Sequence, residues 1–260
     1  MIQALSTQNI SPTVLSVNLN KVALLRNSRG GVLPDPLQAA RVAIDAGCGG
    51  ITLHPRPDLR HARPQDARAM RALCRNVELN LEGNPYAGVG DRYPGFVPLL
   101  LECRPEQATL VPDGDAQLTS DHGWDLVTEA GRLRPLIAQL RDAGMRVSLF
   151  MDVDSPDIER AAELGADRIE IYTGPYAHAH AFGDAGAALD ACARTAERAH
   201  VVGLKVNAGH DLDQHNLGPL LRHVPSISEV SIGHALINDA LYDGLDLTVR
   251  RYLQAISAAA

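Results

Sequence analysis

The segment at residues 203–216, GLKVNAGHDLDQHN, determines how we interpret the fold of this chain. Apolar and polar residues alternate over residues 204–207, as they do in a strand with one buried face. Gly209 ends this strand, and a glycine there permits positive φ or a close approach of the backbone to a ligand. We therefore predict a buried strand that delivers Asn207 and His210 to an open rim.

The same plan recurs along the chain, where an apolar strand ends in polar residues and a loop and a helix follow. We predict strands over residues 13–19, 49–55, 77–83, 107–112, 146–152, 168–173, 203–209 and 229–233. We predict helices over residues 36–46, 64–76, 93–103, 126–142, 157–164, 184–200 and 217–223, and from residue 234 to the C-terminal alanines. Residues 21–35 and the segment around His178 and His180 are predicted to be loops.

Regular alternation of strand and helix favours a parallel sheet with crossover helices. Eight such units in 260 residues favour a closed barrel over an open sheet, because a (β/α)8 barrel takes about 250 residues in one domain. The predicted fold class is α/β, a single-domain (β/α)8 TIM barrel over residues 1–260. Residues 1–12 are predicted to be an N-terminal extension of that domain.

The composition limits the kind of protein this is. The net charge is −7 and no stretch is strongly basic, which argues against nucleic acid as a partner. The first twelve residues do not resemble a signal peptide, and no apolar run approaches the roughly 20 residues of a membrane span. The four cysteines form no CxxC pair, as expected for free thiols in a reducing compartment. We expect a soluble cytoplasmic protein.

The site of such a barrel is built at the carboxyl-terminal ends of the strands. This sequence places polar or ionisable residues at or just beyond nearly all of those ends, at Asn18, Asn20, His54, Arg56, Glu82, Thr119, Asp152, Glu170, Asn207, His210, Gly233 and His234. Strand ends near loops are wet, so any one of these residues has an ordinary structural explanation. The whole set predicts a functional site.

Phosphate binding is indicated at the last two strands, which end in NAGH and SIGH. In barrels the loops after these strands often hold phosphate in front of a helix N-terminus. Gly233 directly precedes the last helix, so its N–H can point at an anion. Arg29, in a glycine-rich segment, and Arg56 are candidate phosphate ligands, although Arg26 and Arg29 also fit an exposed loop pair.

Proton transfer is indicated by three groups at the predicted rim. Burial would raise the pKa of Glu82 from about 4.3 towards neutrality. His54 and His210 titrate near neutral pH without help. For each histidine alone a structural role is the commoner one.

Two other features have a second interpretation. His178 and His180 form an HxH pair that could bind metal, but no third ligand is evident, and we interpret them as loop residues. Lys205 could form a Schiff base only in a dry pocket that lowers its pKa. It precedes the rim on its strand, so we predict instead an ion pair with Glu78 across the barrel.

The ordered set of motifs resembles the pyridoxine 5′-phosphate synthase family of vitamin B6 biosynthesis. The resemblance rests on VNLNKVALLRNSRG at 17–30, DPLQAA at 35–40, GITLHPRPDLRH at 50–61, LNLEGN at 79–84, VSLFMD at 147–152, IEIYTG at 169–174, GLKVNAGHDLDQHN at 203–216 and SIGHALI at 231–237. It implies a (β/α)8 barrel with extra helices, assembled as a homo-octamer. It also implies that 1-deoxy-D-xylulose 5-phosphate condenses with 3-amino-2-oxopropyl phosphate, with no metal and no organic cofactor.

The resemblance also implies roles for individual residues. It implies that the aminoketone phosphate is bound by Asn18, Arg29, Asp211, Gly233 and His234. It implies that the deoxyxylulose phosphate is bound by Arg56, His61, Thr119, Asn20 and Lys21. By the same resemblance His54 and Glu82 act as bases, His210 acts as an acid, and Glu170 stabilises charge in the transition state.

The chain departs from the family pattern in two places. The usual first motif is NIDHIATLRNARG, whereas Asn20 and Lys21 stand here in place of Asp-His. The change removes a possible acid and a ring donor and adds a fixed cation. Asp211 occupies a position where glycine is usual, and its carboxylate would repel a phosphate that it faced.

Two rival functions remain open at this point. One is a different phosphosugar aldolase or lyase that uses Lys205 as a Schiff-base lysine. The other is a barrel without catalytic activity that only binds phosphates.

Overall fold

Eight parallel strands form a closed barrel in which each strand pairs with its neighbours in chain order and β1 pairs with β8. This computed structural model describes residues 13–114 and 117–260. The strands are β1 (Val14–Asn18), β2 (Gly50–Leu53), β3 (Glu78–Gly83), β4 (Gln107–Leu110), β5 (Arg146–Met151), β6 (Arg168–Tyr172), β7 (Lys205–Gly209) and β8 (Ile227–Ile232). The predicted (β/α)8 barrel is confirmed, whereas the predicted extension at residues 1–12 lies outside the described residues.

Helices follow every strand and form the outer layer. They are α1 (Asn20–Asn27), α2 (Pro36–Asp45), α3 (Pro64–Leu73), α4 (Phe96–Cys103), α5 (Leu126–Asp142), α6 (Ile158–Glu163), α7 (Gly174–Ala181), α8 (Gly186–Val201), α9 (Leu217–His223), α10 (His234–Asp243) and α11 (Leu245–Ser257). In the part of the chain that the structure describes, no helix is long and apolar enough to span a membrane.

Local chemistry explains where several helices begin. Asp35 caps α2 by accepting a hydrogen bond from the Leu37 N–H at 2.9 Å, and Pro36 follows at the first helical position, where its missing N–H costs nothing. Asp125 caps α5 in the same way, through Val127 N–H at 2.9 Å. Such carboxylate caps satisfy donors that the first turn would leave unpaired.

Two predicted loops are helices in the structure, and one predicted helix is two. Residues 20–27 form α1, and Gly174–Ala181 form α7 together with the predicted loop histidines. Arg26 on α1 makes a bidentate ion pair with Asp66 on α3, at 2.6 and 2.8 Å. Because this Arg26 pair is nearly buried, the exposed-loop interpretation is wrong for Arg26. The final helix is divided at Gly244, which has a φ of 82°.

The strands present opposite chemistry on their two faces. Apolar side chains of every strand are buried between the barrel and the helices, for example at Leu15, Val17, Ile51, Leu53, Leu79, Leu81, Val147, Leu149, Ile169, Ile171, Val206, Val230 and Ile232. The alternate residues point into the barrel, because successive strand residues face opposite sides. Most of these interior residues are polar, and they include Ser16, Thr52, Asn80, Gln107, Thr109, Arg168, Asn207 and Glu229.

The interior polar residues bond to one another. Arg168 donates to Asn207 at 2.9 Å and to Glu229 at 3.1 Å. Gln107 donates to Glu229 at 3.3 Å and accepts from Asn207 at 3.3 Å. Asn207 is therefore a buried member of this network, and the prediction that it reaches the open rim is wrong.

Candidate active site

A cavity of about 470 Å³ opens at the carboxyl-terminal ends of the strands. All of the residues to which a catalytic or binding role was assigned, except Arg29, line it, namely Asn18, Asn20, Lys21, His54, Arg56, His61, Glu82, Thr119, Glu170, His210, Asp211, Gly233 and His234. They lie on β1, β3 and β6, at the starts of α1 and α10, and in the loops after β2, β4, β7 and β8. The fold thus brings together residues that lie up to about two hundred positions apart.

Two asparagines shape the wall formed by β1, β2 and β3. Asn18 donates to Oε2 of Glu82 at 3.4 Å and accepts from the Asn20 N–H at 3.0 Å. Asn20 in turn accepts from the His54 N–H at 2.8 Å. The first half of the Asn20-Lys21 departure therefore has a structural role, since it fixes the end of β2 beside the cavity.

Two buried carboxyl groups line the cavity. Burial raises the pKa of Glu82 to about 8, with smaller contributions from the carboxylates of Asp113 and Glu229. Burial also raises the pKa of Glu170 well above its usual range, and Glu82 adds to that rise. Oε2 of Glu170 has no hydrogen-bond partner among the described residues. A carboxyl with a pKa near neutrality can both take and return a proton at physiological pH.

His54 and His61 behave in the opposite sense. Burial lowers the pKa of His54 well below its usual value, and Arg56 adds to the effect. Burial lowers the pKa of His61 to about 3, and Arg56 again contributes. The two ring centroids lie 5.7 Å apart. Because both pKa values are lowered, both rings are neutral imidazoles that can accept a proton or a hydrogen bond.

Arg56 is held rigidly beneath the cavity mouth. It makes a buried ion pair with Asp113 and donates to the Gln117 carbonyl at 3.1 Å. Ser120 donates to the same Asp113 carboxylate at 2.8 Å. Nearby, Arg60 donates to the carbonyls of Gln117 and Leu118 at 2.9 and 3.1 Å, and its own side chain also lines the cavity. Each guanidinium also faces a carboxylate, Arg56 that of Asp113 and Arg60 that of Asp58. We call this edge the first positive region because guanidinium groups are donors suited to an anion.

The turn after β7 positions His210. Its Nε2 lies 2.8 Å from Oγ1 of Thr119, and its Nδ1 lies 2.9 Å from Oδ2 of Asp211. The ring stands edge-on to Tyr172, with centroids 5.2 Å apart. Thr173 donates to the carbonyl of His210 at 2.5 Å. The imidazole therefore has a defined orientation at the mouth.

A second positive region lies between β1 and β8. Gly233 immediately precedes α10, and a Cβ atom added to it would lie 3.1 Å from Asn18. The pKa of Asp211 is lowered by its hydrogen bond to His210, and His234 and Lys21 contribute to that lowering. Lys21, His234 and the N-terminus of α10 thus line the same part of the cavity as the Asp211 carboxylate, and a lysine beside a helix N-terminus is suited to phosphate.

Arg29 is the one residue with an assigned catalytic or binding role that does not line the cavity. It follows α1 and is exposed. Asp152, which we also placed at the rim, accepts from the Gly123 N–H at 3.0 Å and lies outside the cavity lining.

The prediction missed Arg60, Ser120 and Ser231, which all line the cavity. Ser231 stands two residues after Glu229 on β8, so strand alternation would have identified it as inward-facing.

The alternatives drawn from the sequence find little support in the geometry. Lys205 begins β7 at the end of the barrel opposite the cavity and is exposed. The hydrogen-bonded partner of Glu78 is Arg146, at 2.9 Å, and not Lys205. Among residues 13–114 and 117–260 no group of three or more His, Cys, Asp or Glu side chains is arranged to hold a metal ion. His178 and His180 therefore belong to no such group. The ring of His178 contacts Phe182, and the ring of His180 contacts Tyr176.

The fold and the cavity define a class of protein: a (β/α)8 barrel with an acid–base site and two positive regions at its carboxyl-terminal mouth. Comparison with known proteins narrows that class. The profile of the family described as Pyridoxal phosphate biosynthesis protein PdxJ matches residues 15–258. The chain belongs to this family.

Named relatives agree with the family profile. A Pyridoxine 5′-phosphate synthase of Xanthomonas axonopodis pv. citri is 59% identical over 246 residues, which cover 94% of this chain and 96% of that protein. A Pyridoxine 5′-phosphate synthase of Xylella fastidiosa is 56% identical over 95% of both chains. A 3-keto-L-gulonate-6-phosphate decarboxylase from Vibrio cholerae has a similar structure, with a TM-score of 0.65 over 96% of this chain and 100% of the other chain. At 10% identity, that similarity concerns the fold alone.

Proposed function

We propose that this chain is a pyridoxine 5′-phosphate synthase. It condenses 1-deoxy-D-xylulose 5-phosphate with 3-amino-2-oxopropyl phosphate and releases pyridoxine 5′-phosphate, phosphate and water. The observation that carries the proposal is the convergence of the motif residues on one cavity that has two positive regions and two buried carboxyl groups. Membership in a family whose named relatives are such synthases supports it.

The two positive regions suit two phosphorylated substrates. Arg56, His61 and Thr119 are proposed to bind the deoxyxylulose phosphate together with Asn20 and Lys21. The rigid Arg56–Asp113 pair supports this assignment, because its guanidinium is positioned before the anion arrives. Arg60, which also lines the cavity, is proposed to help attract the same phosphate.

The aminoketone phosphate is proposed to bind between β1 and β8. Asn18, Asp211, Gly233 and His234 line that part of the cavity. Arg29 is retained as a phosphate ligand on the family resemblance alone, because its side chain does not line the cavity.

The proton carriers follow from their environments. The amine condenses with the pentulose ketone to an imine and releases water, and Glu82 removes a proton from the imine to give an enamine. A buried carboxyl with a raised pKa is a stronger base once it is ionised, which suits this step. Neutral His54 is proposed as the second base. Phosphate leaves, water adds, and an aldol attack closes the ring.

Two further groups complete the proposed chemistry. His210 donates protons to departing hydroxyl groups, and its position against Thr119 at the mouth supports this role. Glu170 is proposed to stabilise the charge of the transition state, and its unpaired Oε2 provides an oxygen for a substrate donor.

The geometry argues against the two rivals. Lys205 is exposed at the start of β7 and does not line the cavity, so its amine is not placed to attack a substrate bound there. A barrel that only bound phosphate would gain nothing from two buried carboxyls with raised pKa values, since groups of this kind cluster at catalytic sites.

The setting of the enzyme is also proposed. We infer a single domain over residues 1–260, a homo-octamer and a cytoplasmic location. The family resemblance supports the octamer. Four free, buried cysteines support a reducing compartment.

The decisive experiment mixes both phosphates with the purified protein. We expect the pyridoxine chromophore and free phosphate to appear in parallel, and we expect Glu82→Gln and His210→Asn to abolish most of the turnover. Glu102→Gln is the matched control, because Glu102 pairs with Arg68 on the outer surface. Failure of the wild-type protein to form pyridoxine 5′-phosphate, or normal turnover in either site variant, would contradict the proposal.

A further inference from the structure

The imidazole of His210 is held at both of its nitrogens. Nδ1 lies 2.9 Å from Oδ2 of Asp211, and Nε2 lies 2.8 Å from the hydroxyl of Thr119. Thr119 belongs to the loop after β4, whereas Asp211 is the next residue after His210 in the chain. A neutral imidazole carries hydrogen on one nitrogen only, and the partner of that nitrogen decides which one.

The ionisation of Asp211 determines which nitrogen of His210 carries the hydrogen. Its pKa is lowered by the hydrogen bond to His210, with contributions from His234 and Lys21. An ionised carboxylate can only accept a hydrogen bond. The shared hydrogen therefore resides on Nδ1, and Nε2 is left facing Thr119 and the cavity.

The backbone of the turn is arranged to make this contact. His210 has a φ of 86° and Asp211 a φ of 57°, a region that residues other than glycine rarely occupy. Thr173 holds the turn by donating to the carbonyls of Gly209 and His210, at 2.7 and 2.5 Å. Asn216 donates to the carbonyl of Asp211 at 3.0 Å. Backbone strain of this kind persists only where the surroundings impose it, and it is concentrated at functional sites.

We propose that Asp211 is a positioning residue, which keeps hydrogen on Nδ1 of His210, so that Nε2 is the atom that first takes up a proton and then returns it to a departing hydroxyl group of the substrate. This inference rests on the proposed function, and it changes the role of Asp211. Its carboxylate acts on the imidazole, so phosphate binding at this turn falls to backbone N–H groups, to Lys21 and to His234. Glycine, which the family resemblance implies is usual at this position, has no group that could orient the ring. Aspartate at position 211 thus gives this chain a contact to His210 that glycine could not make.

The charges around the pair are consistent with this role. Lys21 from α1 and His234 from α10 face the carboxylate, while Tyr172 from β6 packs against the ring. The side chain of Asp211 is half exposed, so the orientation of the ring is the larger effect and the Coulomb energy of the pair is modest.

The test compares Asp211→Gly with Asp211→Asn in the full-length protein. Glycine accepts a φ of 57° without strain, so this variant should fold, but it offers the ring no partner. Asparagine still offers an oxygen that can accept from Nδ1. The readouts are the ¹⁵N chemical shifts of the His210 ring, identified by difference from His210→Asn, together with kcat and KM for both phosphates.

We expect Asp211→Gly to lose the preference for hydrogen on Nδ1 and to lower kcat by about tenfold or more, with each KM changed less than about twofold. Asp211→Asn should keep the preference and most of kcat. Asp190→Asn is the control, since Asp190 makes a similar 2.9 Å contact with His223 far from the cavity.

The proposal is overturned if Asp211→Gly keeps both the Nδ1 hydrogen and the wild-type kcat. It is also overturned if the only change is a lower KM for a phosphate, because the carboxylate would then act on the substrate. The ring measurement needs no turnover. A wild-type protein that makes no pyridoxine 5′-phosphate would contradict the proposed function and leave this inference to be decided by the chemical shifts.

Discussion

A Cβ atom added to Gly209 would lie 2.2 Å from Oε1 of Glu170. This distance is far shorter than van der Waals contact, so the carboxyl of Glu170 occupies the space that a side chain at position 209 would need. Gly209 is therefore required by a close approach of a side chain, and not by a positive φ of its own. Glycine at the end of β7 and a buried carboxyl on β6 form one structural unit.

The first prediction concerns this unit. Gly209→Ala should displace the Glu170 carboxyl, lower kcat by tenfold or more, and destabilise the fold by about 1–3 kcal/mol through overpacking. Steady-state kinetics and urea unfolding measure the two effects. Gly131→Ala in the exposed middle of α5 is the control, because nothing lies within 4 Å of its added Cβ. That variant should be up to about 1 kcal/mol more stable than the wild type.

The second prediction concerns the effect of pH on stability. Glu82 has a pKa of about 8 in the folded chain and about 4.3 in the unfolded chain. Between these values the unfolded chain releases the proton and the folded chain keeps it, so the free energy of unfolding falls as pH rises. Glu82→Gln removes this dependence. Its stability gain over the wild type should be near zero at about pH 4.5 and should grow up to about pH 8.

Urea unfolding across this pH range measures the gain. Glu102→Gln should show no such growth, because the Arg68 hydrogen bond lowers the pKa of the exposed Glu102. A stability difference between Glu82→Gln and the wild type that does not change with pH would mean that Glu82 is ionised in the folded protein.

The third prediction concerns the buried ion pair of the barrel interior. Burial lowers the pKa of Arg168 and raises that of Glu229 in spite of their contact. The attraction between the two charges therefore offsets only part of what their burial costs. Arg168→Met should cost about 3–5 kcal/mol, because it leaves a buried carboxylate without its cation. The double variant Arg168→Met/Glu229→Gln should recover much of that loss.

Thermal or urea unfolding of Arg168→Met, Glu229→Gln and the double variant gives the coupling energy. The exposed i,i+4 pair Asp246–Arg250 on α11 is the control, and its coupling should be less than about 1 kcal/mol. Equal losses in the buried double variant and in Arg168→Met alone would show that Glu229 does not depend on Arg168.

The fourth prediction concerns Lys205. Because this residue is exposed at the end of the barrel opposite the cavity, Lys205→Met should retain wild-type kcat and KM. Borohydride treatment in the presence of either substrate should leave the peptide containing Lys205 unmodified by mass spectrometry. A substrate adduct on that peptide would favour a Schiff-base aldolase.

Much of the site was predictable from the sequence because strand periodicity and barrel geometry are simple. Alternation on β3 placed Glu82 inward, and the order of strands placed it in the same cavity as His54 and His210. Side chains from loops were harder. Arg60 and Ser120 reach the cavity through contacts with Gln117 and Asp113, and no periodic pattern encodes those contacts.

The errors also have physical causes. The predicted loop at residues 21–35 contains α1, whose preceding Leu19 makes no side-chain cap, so the usual start signal is absent. The helix α7 begins with Gly174 and Pro175, and proline at a first or second helical position was a signal available in the sequence. Asn207 was wrongly assigned to the rim. The alternation of polar and apolar residues shows which face of a strand a side chain is on, but not how deep in the barrel it lies.

The pairing of β1 with β8 has a consequence for biosynthesis. Val14 is in register with Glu229, so the first strand must wait for nearly the whole polypeptide to leave the ribosome before its outer edge is covered. Contacts between such distant residues slow folding, and unpaired strand edges promote aggregation meanwhile. Nascent chains that end before residue 227 should therefore depend on chaperones, and emergence of residues 227–260 should end that dependence.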